Sequence, residues 1–596
     1  MPTYKAPVQD VSFLLNDVFQ VDKYDNLPGF SDASADVREA ILDEAAKFTE
    51  QVLQPLNRIG DLEGCTRHDD GRVTTPTGFK EAFKQFADGG WFGLSAPQEY
   101  GGQGLPLLLS QTVSEFVSSA NMAFGMYPGL TQGAMAALLV HGSDEQKKTF
   151  VPNMVAGKWA GTMNLTEPQC GTDLGLMRTK AVKQADSTYK ITGTKIFISG
   201  GEQDLTENIV HLVLARIEGA PAGIKGVSLF VVPKMIIKSD GSLGAPNGVS
   251  CGSIEHKMGI HGNSTCVLNF DNAVGTLVGE ENKGMAAMFV MMNEARLGVG
   301  VQGLAQSEVA YQNAAAYAKE RLQGRALTGA QAKDKPADPI IVHPDIRRTL
   351  LTIRAFNEAA RALVVWTSLK SDLAHRSDDP KQRQEADDHM GLLTPVVKGM
   401  LTDVGFANAV AAQQVYGGHG YIQETGVEQF VRDARISMLY EGANGIQALD
   451  LVGRKLGRDG GRAITAFFNE VAAFAKDNSA DEAMKPYIAP LSTSIKDLQQ
   501  ATMWLMQNAM AKPDNAGAAS TDYLHLFGLV ALGYMWARMA KVAQDKLANA
   551  GEQPYLKTKL VTGKFFMERM LPETSLRLSR IQTGAGSMME LPAEAF

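Results

Sequence analysis

The spacing of apolar residues changes character twice along the chain. Between residues 36 and 159 apolar side chains recur at every third or fourth position, as at Ile41 and Ala45, and this period predicts amphipathic helices. From residue 160 to 283 the apolar residues stand in short runs, rich in β-branched and aromatic side chains and separated by Gly, Asn, Asp and Pro, which predicts strands. The helical period returns at Gly284 and continues to the last residues.

Local signals mark some element ends and loops. Ser143 precedes two acidic residues and predicts the N-cap of a helix, and Pro344 stands where a first helical turn tolerates proline. Residues 323–339 form the clearest internal loop. Residues 1–35 are mixed and irregular, with one short amphipathic segment from Phe13 to Phe19.

The order helical, β, helical predicts an α+β multidomain fold. Because strands and helices do not alternate, no Rossmann domain is expected. The long stretches after residue 284 suffice for a C-terminal four-helix bundle, with further helices beyond it. We therefore predict an N-terminal extension (1–35), an N-terminal helical domain (36–159), a middle β domain (160–283), a helical bundle domain (284–459) and an additional C-terminal helical domain (460–596).

The charge balance argues against a nucleic-acid partner. The chain has 57 Lys and Arg against 65 Asp and Glu, a formal net charge of −8, whereas phosphate binding depends on an excess of cations. The four cysteines lack the spacing of a zinc site or a disulfide framework. We therefore expect no metal, and reduced thiols in the cytoplasm are the simplest interpretation.

No targeting or membrane segment is expected. The first residues lack the basic region and apolar stretch of a signal peptide, and the Arg- and Ser-rich composition of a transit peptide. The longest late apolar run, Leu526 to Ala537, has about 12 residues and is too short for a bilayer core of ~30 Å. It is interpreted as a buried helix.

Three segments carry candidate chemistry. Residues 164–181 read NLTEPQCGTDLGLMRTKA, residues 191–201 read ITGTKIFISGG, and residues 414–456 contain QVYGGHG, RDA and YEGANG. Read in isolation, the first is a polar turn, the second a strand whose Phe197 belongs to the core, and the third an exposed loop. In their order and spacing they resemble the acyl-CoA dehydrogenase family over about residues 40–455. The resemblance is to long bacterial members with an additional C-terminal helical region.

Glu441 in YEGANG is the residue that the resemblance implies as catalytic base. Removal of a proton α to a thioester needs a base in a dry site, where burial makes a carboxylate more basic. The resemblance implies that Glu441 takes this proton while the β-hydrogen leaves as hydride to N5 of FAD, giving the trans-2-enoyl-CoA. It also implies that the backbone N–H of Glu441 binds the thioester carbonyl and that Gly442 and Gly445 allow a tight turn beside the substrate.

The resemblance further implies a set of flavin contacts in the β domain. They are Met163, Leu165 and Thr166 along the flavin, Thr172 near the pyrophosphate or substrate, and Phe197 and Ser199 in the following strand. Gln169 and Cys170 depart from the usual glycine and alanine of the first motif. Cys170 has no neighbouring base in the sequence and is interpreted as non-catalytic.

Other implied contacts lie later in the chain. Arg321, with Arg325 as a weaker second, would bind the FAD pyrophosphate across a subunit interface, since a guanidinium fork suits phosphate oxygens. Gln414, Gly417 and Gly418 would contact the adenine side of the partner's FAD, which implies a homodimer. Arg296 is a structural or a substrate-binding residue, and His261 and His419 are interpreted as ordinary polar residues. Ala443 stands where the family commonly has threonine.

The resemblance leaves the substrate and the electron acceptor open. A fatty acyl-CoA of β-oxidation and the sulfur-containing 3-methylmercaptopropionyl-CoA are both compatible with the long architecture. An acyl-CoA oxidase or a non-catalytic flavoprotein on the same fold are the alternatives to a dehydrogenase. Electron-transferring flavoprotein is the acceptor that the family implies.

Overall fold

The structure of the protein is a computed structural model that describes residues 2–596, apart from the side chain of Ala550. It divides into two compact units. One unit is Glu44–Gly298, and the other joins the first 43 residues to Val299–Phe596.

The first part of the chain is mainly helical, as its apolar spacing predicts. A small antiparallel pair is formed by β1 (Thr66–Arg67) and β2 (Val73–Thr74). The helices are α1 (Val8–Ser12), α2 (Ala35–Phe48), α3 (Gln54–Glu63), α4 (Phe79–Asp88), α5 (Leu107–Ala120), α6 (Met122–His141) and α7 (Asp144–Val155). A capping box opens α7, because Ser143 Oγ accepts from the Gln146 N–H while Gln146 Oε1 accepts from the Ser143 N–H.

The middle of the chain forms a mixed sheet. Its strands run in the order β10-β11-β5-β4-β6-β3, and β7 pairs with β11 and β6. β6 pairs in parallel with β3 and β4, and the remaining pairs are antiparallel. The strands of this sheet are β3 (Trp159–Asn164), β4 (Lys180–Lys183), β5 (Tyr189–Ser199), β6 (Asn208–Ile217), β7 (Val227–Pro233), β10 (Val249–Ile254) and β11 (Thr265–Val278), and β8 (Met235–Ile237) and β9 (Leu243–Pro246) form a separate antiparallel pair.

Both faces of this sheet are buried. Leu212 and Leu229 face a core shared with α6 and α7, whereas Val213 and Phe230 face a second core. Neighbouring residues of one strand thus enter different cores, as the period of two requires. The strands predicted in this region are therefore present, and the burial of both faces explains why β6 is mostly apolar.

The remainder of the chain is helical. The three longest helices before residue 416 have 37, 33 and 36 residues, and Pro344 opens the second of them as predicted. The helices are α8 (Gly284–Glu320), α9 (Pro344–Arg376), α10 (Pro380–Val415), α11 (Glu428–Arg435), α12 (Asn444–Asp450), α13 (Arg462–Asp477), α14 (Lys485–Asn508), α15 (Pro513–Ala550), α16 (Pro554–Arg569), α17 (Glu573–Thr583) and α18 (Gly586–Met589). The predicted α+β layout is confirmed.

The apolar run in α15 is buried. By length and composition the stretch Pro513–Asn549 could cross a membrane, but 83% of its most apolar window is buried inside the protein. Core helices of globular proteins pass the same test, so this is weak support for a membrane span. The interpretation of Leu526 to Ala537 as a buried helix is confirmed.

The N-terminal extension is more ordered than its sequence pattern predicts. Val8–Ser12 is helical and continues as the π-helix Phe13–Val18. Asp10 on this segment lies in a buried charge cluster with Arg361, Lys559, Glu308 and Glu358. The pairing of Asp10 could not be predicted from the sequence, because one acidic residue among apolar ones does not indicate its partner.

Short contacts hold the buried charge cluster together. The Asp10 carboxylate lies 2.6 Å from Arg361 Nη1, pairs with Lys559 Nζ, and accepts a hydrogen bond of 2.8 Å from the Tyr555 hydroxyl. Lys559 Nζ lies 2.8 Å from Glu358, and Arg361 Nη2 lies 3.1 Å from Glu308. Burial would raise the pKa of Asp10, but the charges of Lys559 and Arg361 outweigh it and hold that pKa well below its usual value.

Candidate active site

Glu441 lies in a strained turn that ends where α12 begins. Its φ is +55°, in the left-handed region, and that of Gly442 is +83°. Glutamate rarely adopts this conformation, and such residues persist where the surroundings hold them, often at active sites. Gly445, which the sequence assigned to the turn, lies inside α12 and takes no part in it.

Buried amide and ammonium groups hold this turn, residues 440–444, which we call the base loop. Gln447 Nε2 donates to the Glu441 carbonyl at 2.9 Å. Lys398 Nζ, fully buried on α10, donates to the Gly442 carbonyl at 2.8 Å and to Asn444 Oδ1 at 2.7 Å. Neither Lys398 nor Gln447 could be predicted from the sequence, because neither belongs to a motif that indicates its partner.

Tyr440 precedes Glu441 and is the nearest other ionisable residue in the base loop. The Tyr440 hydroxyl donates to Gln302 Oε1. Burial, and secondarily the negative charge of Glu441, raise the pKa of Tyr440 well above its usual value. Tyr440 therefore stays neutral and does not compete with Glu441 as a base.

Phe197 is exposed because β5 contains an irregularity at its end. Lys195 pairs with Leu268 of β11, but Ile198 pairs with Cys266, so β5 has one residue more than β11 in this interval. Phe197 has φ +61° there and its side chain is 59% exposed, whereas Ile198 is buried. A bulge re-aims a side chain in this way. The core interpretation of Phe197 is therefore wrong, and its ring is open to a ligand.

A buried ion pair ties the two β-domain motifs to each other. Lys195 Nζ lies 2.9 Å from Glu167 Oε1 and donates to the Leu165 carbonyl at 3.0 Å. Glu167 also accepts from the N–H groups of Arg178 and Thr179, at 2.8 and 3.0 Å. Burial opposes the ionised form of Glu167, but Lys195 and these donors lower its pKa to about 2.

This ion pair gives Glu167, in the segment LTEPQCGTD, a structural role that could not be predicted from the sequence. Burial lowers the pKa of Lys195 to about 8, so the lysine depends on Glu167 for its charge. A lysine in a strand and a glutamate before a proline indicate no pairing until the strands are placed.

The other predicted residues of these motifs lie around this pair. The Ile196 N–H donates to the Thr166 carbonyl at 2.9 Å, which brings the end of β3 beside the end of β5. Met163, Leu165, Thr166 and Ser199 are half-buried and Thr172 is exposed. Cys170 is buried, its thiol donates to the Asp173 carbonyl, and burial raises its pKa, so it is unsuited to be a nucleophile.

The predicted interface residues gather where α8 and α10 end. Tyr317 stacks on Tyr416, with ring centroids 4.1 Å apart, and Arg321 follows Tyr317 by one helical turn, its N–H donating to the Tyr317 carbonyl at 2.8 Å. Gln414, Gly417 and Gly418 are exposed, and so are Tyr421 and Ile422 beyond them.

Arg325 has a different task from the one predicted. Its guanidinium binds the buried carboxylate of Asp338 at 3.2 Å and donates to the carbonyls of Ala332 and Lys335. The N–H groups of Ala326 and Ala332 donate to the same carboxylate. Arg325 thus closes the 323–339 loop, and the structure accounts for it without a phosphate.

Four family descriptions match consecutive parts of the chain. "Acyl-CoA dehydrogenase, N-terminal domain" matches residues 35–158, and "Acyl-CoA dehydrogenase, middle domain" matches 162–273. "Acyl-CoA dehydrogenase, C-terminal domain" matches 282–456, and "Acetyl-CoA dehydrogenase C-terminal like" matches 467–592. The chain belongs to the acyl-CoA dehydrogenase family. The predicted resemblance is confirmed, and with it an FAD-dependent enzyme that dehydrogenates an acyl-CoA.

Curated relatives of full length carry the same family name. The chain is 44% identical over 588 residues to a 3-methylmercaptopropionyl-CoA dehydrogenase of Ruegeria pomeroyi, covering 98% of this chain and 99% of that one. It is 35% identical over 617 residues to the broad-specificity linear acyl-CoA dehydrogenase FadE5 of Mycobacterium tuberculosis, covering all of both chains.

A solved relative has the same fold. The crystal structure of an acyl-CoA dehydrogenase complexed with FAD from Bacillus anthracis matches with a TM-score of 0.73 and 22% identity, over 96% of this chain and 91% of that one. At this identity the match concerns the fold alone.

Two observations in this acyl-CoA dehydrogenase fit FAD. The exposed ring of Phe197 at the end of β5 offers a flat apolar surface suited to an isoalloxazine. Arg321 is half-buried, and among the described residues no hydrogen bond or ion pair engages its guanidinium. An aromatic platform and an arginine fork suit a flavin and a pyrophosphate respectively.

The NEARLG segment of this acyl-CoA dehydrogenase contains a second notable carboxyl group. Burial raises the pKa of Glu294 to about 7. The neighbouring Arg296 is buried, with its guanidinium 6.0 Å from the centroid of Phe289. This position favours the structural interpretation of Arg296, although its predicted substrate role stays a prediction. The sequence did not single out Glu294, because burial of one acidic residue in a helix leaves no pattern.

His261 is a structural cation, which refines its interpretation as an ordinary polar residue. Nδ1 lies 3.0 Å from Asp61 Oδ1 and 2.9 Å from the Asp61 carbonyl, and Nε2 lies 2.7 Å from the Lys257 carbonyl. These partners only accept, so both ring nitrogens donate and the imidazole is protonated. The bond to the Asp61 carboxylate outweighs burial and raises the pKa of His261 to about 9.

The stability of the enzyme is therefore expected to depend on the protonation of His261. An unfolded histidine titrates near pH 6.5, so a folded pKa of about 9 adds stability that is full below pH about 6.5 and is lost as the pH rises through about 9. Melting temperatures of wild type and His261→Gln, measured from pH 6 to pH 10, should converge as the pH rises. Parallel curves would show that His261 is neutral in the fold.

Proposed function

We propose that Glu441 is the base that removes the α-proton of the acyl-CoA. The main support is the base loop, where a glutamate in the left-handed region is held by Gln447 and Lys398. A residue whose backbone stays in a conformation that costs on the order of 1–3 kcal/mol must be held there by its neighbours. The strained backbone orients the Glu441 carboxylate, because a base acts only within hydrogen-bond reach of the proton that it removes.

The remaining predicted site residues bind FAD or the acyl-CoA substrate. Bound FAD supplies the acceptor for the β-hydrogen as hydride. Met163, Leu165, Thr166 and Ser199 contact the flavin, Phe197 covers one face of it, and Thr172 binds the pyrophosphate or the substrate. The Glu441 N–H donates to the thioester carbonyl, and Gly442 allows the tight turn beside the substrate, where a Cβ would lie 2.7 Å from Gln447 Nε2. Arg321, Gln414, Gly417 and Gly418 hold the pyrophosphate and adenine of a partner's FAD.

We infer that the substrate is 3-methylmercaptopropionyl-CoA or a linear acyl-CoA of similar length. The support is 44% identity, along almost the whole of both chains, to the Ruegeria enzyme that bears this substrate in its name. The broad-specificity linear acyl-CoA dehydrogenase is less similar, at 35%. The reaction then belongs to acyl-CoA catabolism.

The proposal extends to the partners and the compartment. We assign electron-transferring flavoprotein as acceptor, a homodimer as the assembly and the cytoplasm as the location. Tyr421, 85% exposed next to Gly417 and Gly418, supports a subunit contact. All four cysteines are free, which supports a reducing compartment.

An anaerobic titration of the holoenzyme tests the proposed function. A panel of 3-methylmercaptopropionyl-CoA and linear acyl-CoAs of increasing length is added while flavin absorbance near 450 nm is followed. We expect bleaching, strongest with 3-methylmercaptopropionyl-CoA or a linear acyl-CoA of similar length. If the enzyme retains FAD and no thioester bleaches it, the dehydrogenase proposal fails and a non-catalytic flavoprotein replaces it. Rapid reoxidation by oxygen after bleaching would favour an oxidase.

A further inference from the structure

A chain of hydrogen bonds connects the additional C-terminal helices to the base loop. It starts at His525 on α15, whose Nε2 donates to Asp403 Oδ2 at 2.9 Å. Asp403 Oδ1 accepts from Asn444 Nδ2 at 2.6 Å. Asn444 Oδ1 in turn accepts from Lys398, which also donates to the Gly442 carbonyl. His525 is therefore four contacts away from the residue that follows Glu441.

Charge fixes the direction of each bond in this chain. The ammonium of Lys398 can only donate and the carboxylate of Asp403 can only accept, so the Asn444 amide has one possible orientation between them. Asn444 Nδ2 also lies 2.9 Å from Thr402 Oγ1 and 3.1 Å from the Gly399 carbonyl. The first residue of α12 is thereby fixed on α10, and the base loop ends at that residue.

His525 completes this arrangement from outside α10 and α12. It occupies one oxygen of Asp403 and leaves the other for Asn444. The histidine is buried, and the Asp403 side chain is about one-fifth exposed, at 22%. Without the imidazole, water or a rotated carboxylate would replace a bond that now fixes the Asp403 rotamer.

We propose that His525 is a positioning residue for catalysis, through which the additional C-terminal region sets the geometry of the base loop. It does not touch substrate or cofactor, and it acts through Asp403, Asn444 and Lys398 on the Gly442 peptide. The inference rests on the proposed function, in which Glu441 is the base. It predicts a defect in the chemical step that leaves substrate binding intact.

Rapid-mixing reduction of the full-length holoenzyme by the best acyl-CoA of the panel tests this proposal. His525→Ala should lower the limiting rate of flavin bleaching by about tenfold, since residues that couple to a site without touching it act at this scale. The half-saturating substrate concentration and the FAD content should stay near the wild-type values. His525→Gln keeps an N–H donor for Asp403 and should recover most of the rate.

Tyr523→Phe is the matched control on the same helix. It removes a buried hydrogen bond of 2.8 Å between Tyr523 and Thr502, which does not belong to the chain that reaches the base loop. We expect it to lower the melting temperature and to leave the bleaching rate unchanged. Equal slowing in Tyr523→Phe, a wild-type rate in His525→Ala, or no recovery in His525→Gln would overturn the positioning role.

The failure of this inference can be told from failure of the proposed function. Bleaching of wild type but not of Glu441→Gln, together with a normal rate in His525→Ala, would remove only the inference. If His525→Ala does not fold, Asp403→Asn decides the question, because it weakens the same link from the other side. A wild-type rate in Asp403→Asn would then refute the proposal, and a selective loss of limiting rate would support it.

Discussion

Glu441→Gln is expected to abolish bleaching of the flavin by acyl-CoA while FAD stays bound. Glutamine has the size of glutamate but cannot accept the α-proton, and loss of a general base costs on the order of 10²–10⁴-fold in rate. The Gln447 and Lys398 bonds go to main-chain carbonyls, so they survive the substitution. Rapid mixing under anaerobic conditions measures the rate, and the absorbance of the isolated protein reports the bound flavin.

Two further variants make this result specific. Glu294→Gln tests the other carboxyl with a notable environment, whose pKa of about 7 also suits a base. We expect it to bleach within about tenfold of wild type, the scale of a residue that is not the base. Glu568→Gln, at an exposed position 3.7 Å from Lys564, should match wild type. If Glu294→Gln were inactive and Glu441→Gln active, the assignment of the base would have to be exchanged.

Lys559→Met is expected to destabilise the unit that contains the buried charge cluster by about 3–5 kcal/mol. The substitution leaves the carboxylates of Asp10 and Glu358 without their shared ammonium group, and an uncompensated buried charge is far more costly than a lost surface pair. Denaturant unfolding, followed by circular dichroism, gives the change in the free energy of unfolding of that unit. Asp10→Asn should act in the same direction, because it leaves Lys559 and Arg361 less compensated.

Lys485→Met serves as the control for this prediction. Its ammonium lies 2.6 Å from Glu482, but both side chains are mostly exposed, and a pair of this kind contributes less than about 1 kcal/mol. Equal effects of Lys559→Met and Lys485→Met would show that the cluster is of no special importance.

The contribution of Asp10 to stability depends on pH. Since the pKa of Asp10 is depressed in the fold, the stability that it provides is present at neutral pH and is lost as the pH falls through the folded pKa.

The sequence predicts the layout well, because apolar periods report directly on which face of an element is buried. The period of α2 and the β-branched runs of β6 and β7 identify their elements without tertiary information. The capping box at Ser143 and the proline at Pro344 depend on neighbours within one turn, so they can also be recognised. The domain boundaries that we drew stay predictions.

What escaped prediction depends on partners distant in the chain. Glu167 and Lys195 are 28 positions apart, Lys398 and Asn444 are 46 apart, and Asp10 and Lys559 are further apart still. Strand alternation alone places Phe197 in the core, and it fails here because a bulge adds one residue; only the resemblance predicted Phe197 as a flavin contact. The site residues came from resemblance and not from pattern, and their roles in this chain await the experiments above.

The cluster that contains Asp10 has a consequence for the order in which the protein is completed. One unit joins the first 43 residues to Val299–Phe596, and Lys559 leaves the ribosome long after Asp10. Asp10 is therefore translated well before the partner that neutralises it, and it can be buried in the cluster only once α16 has been made. A nascent chain stalled before α16 would still expose the segment around Asp10 to chaperones and proteases, whereas a chain that includes α16 can bury it.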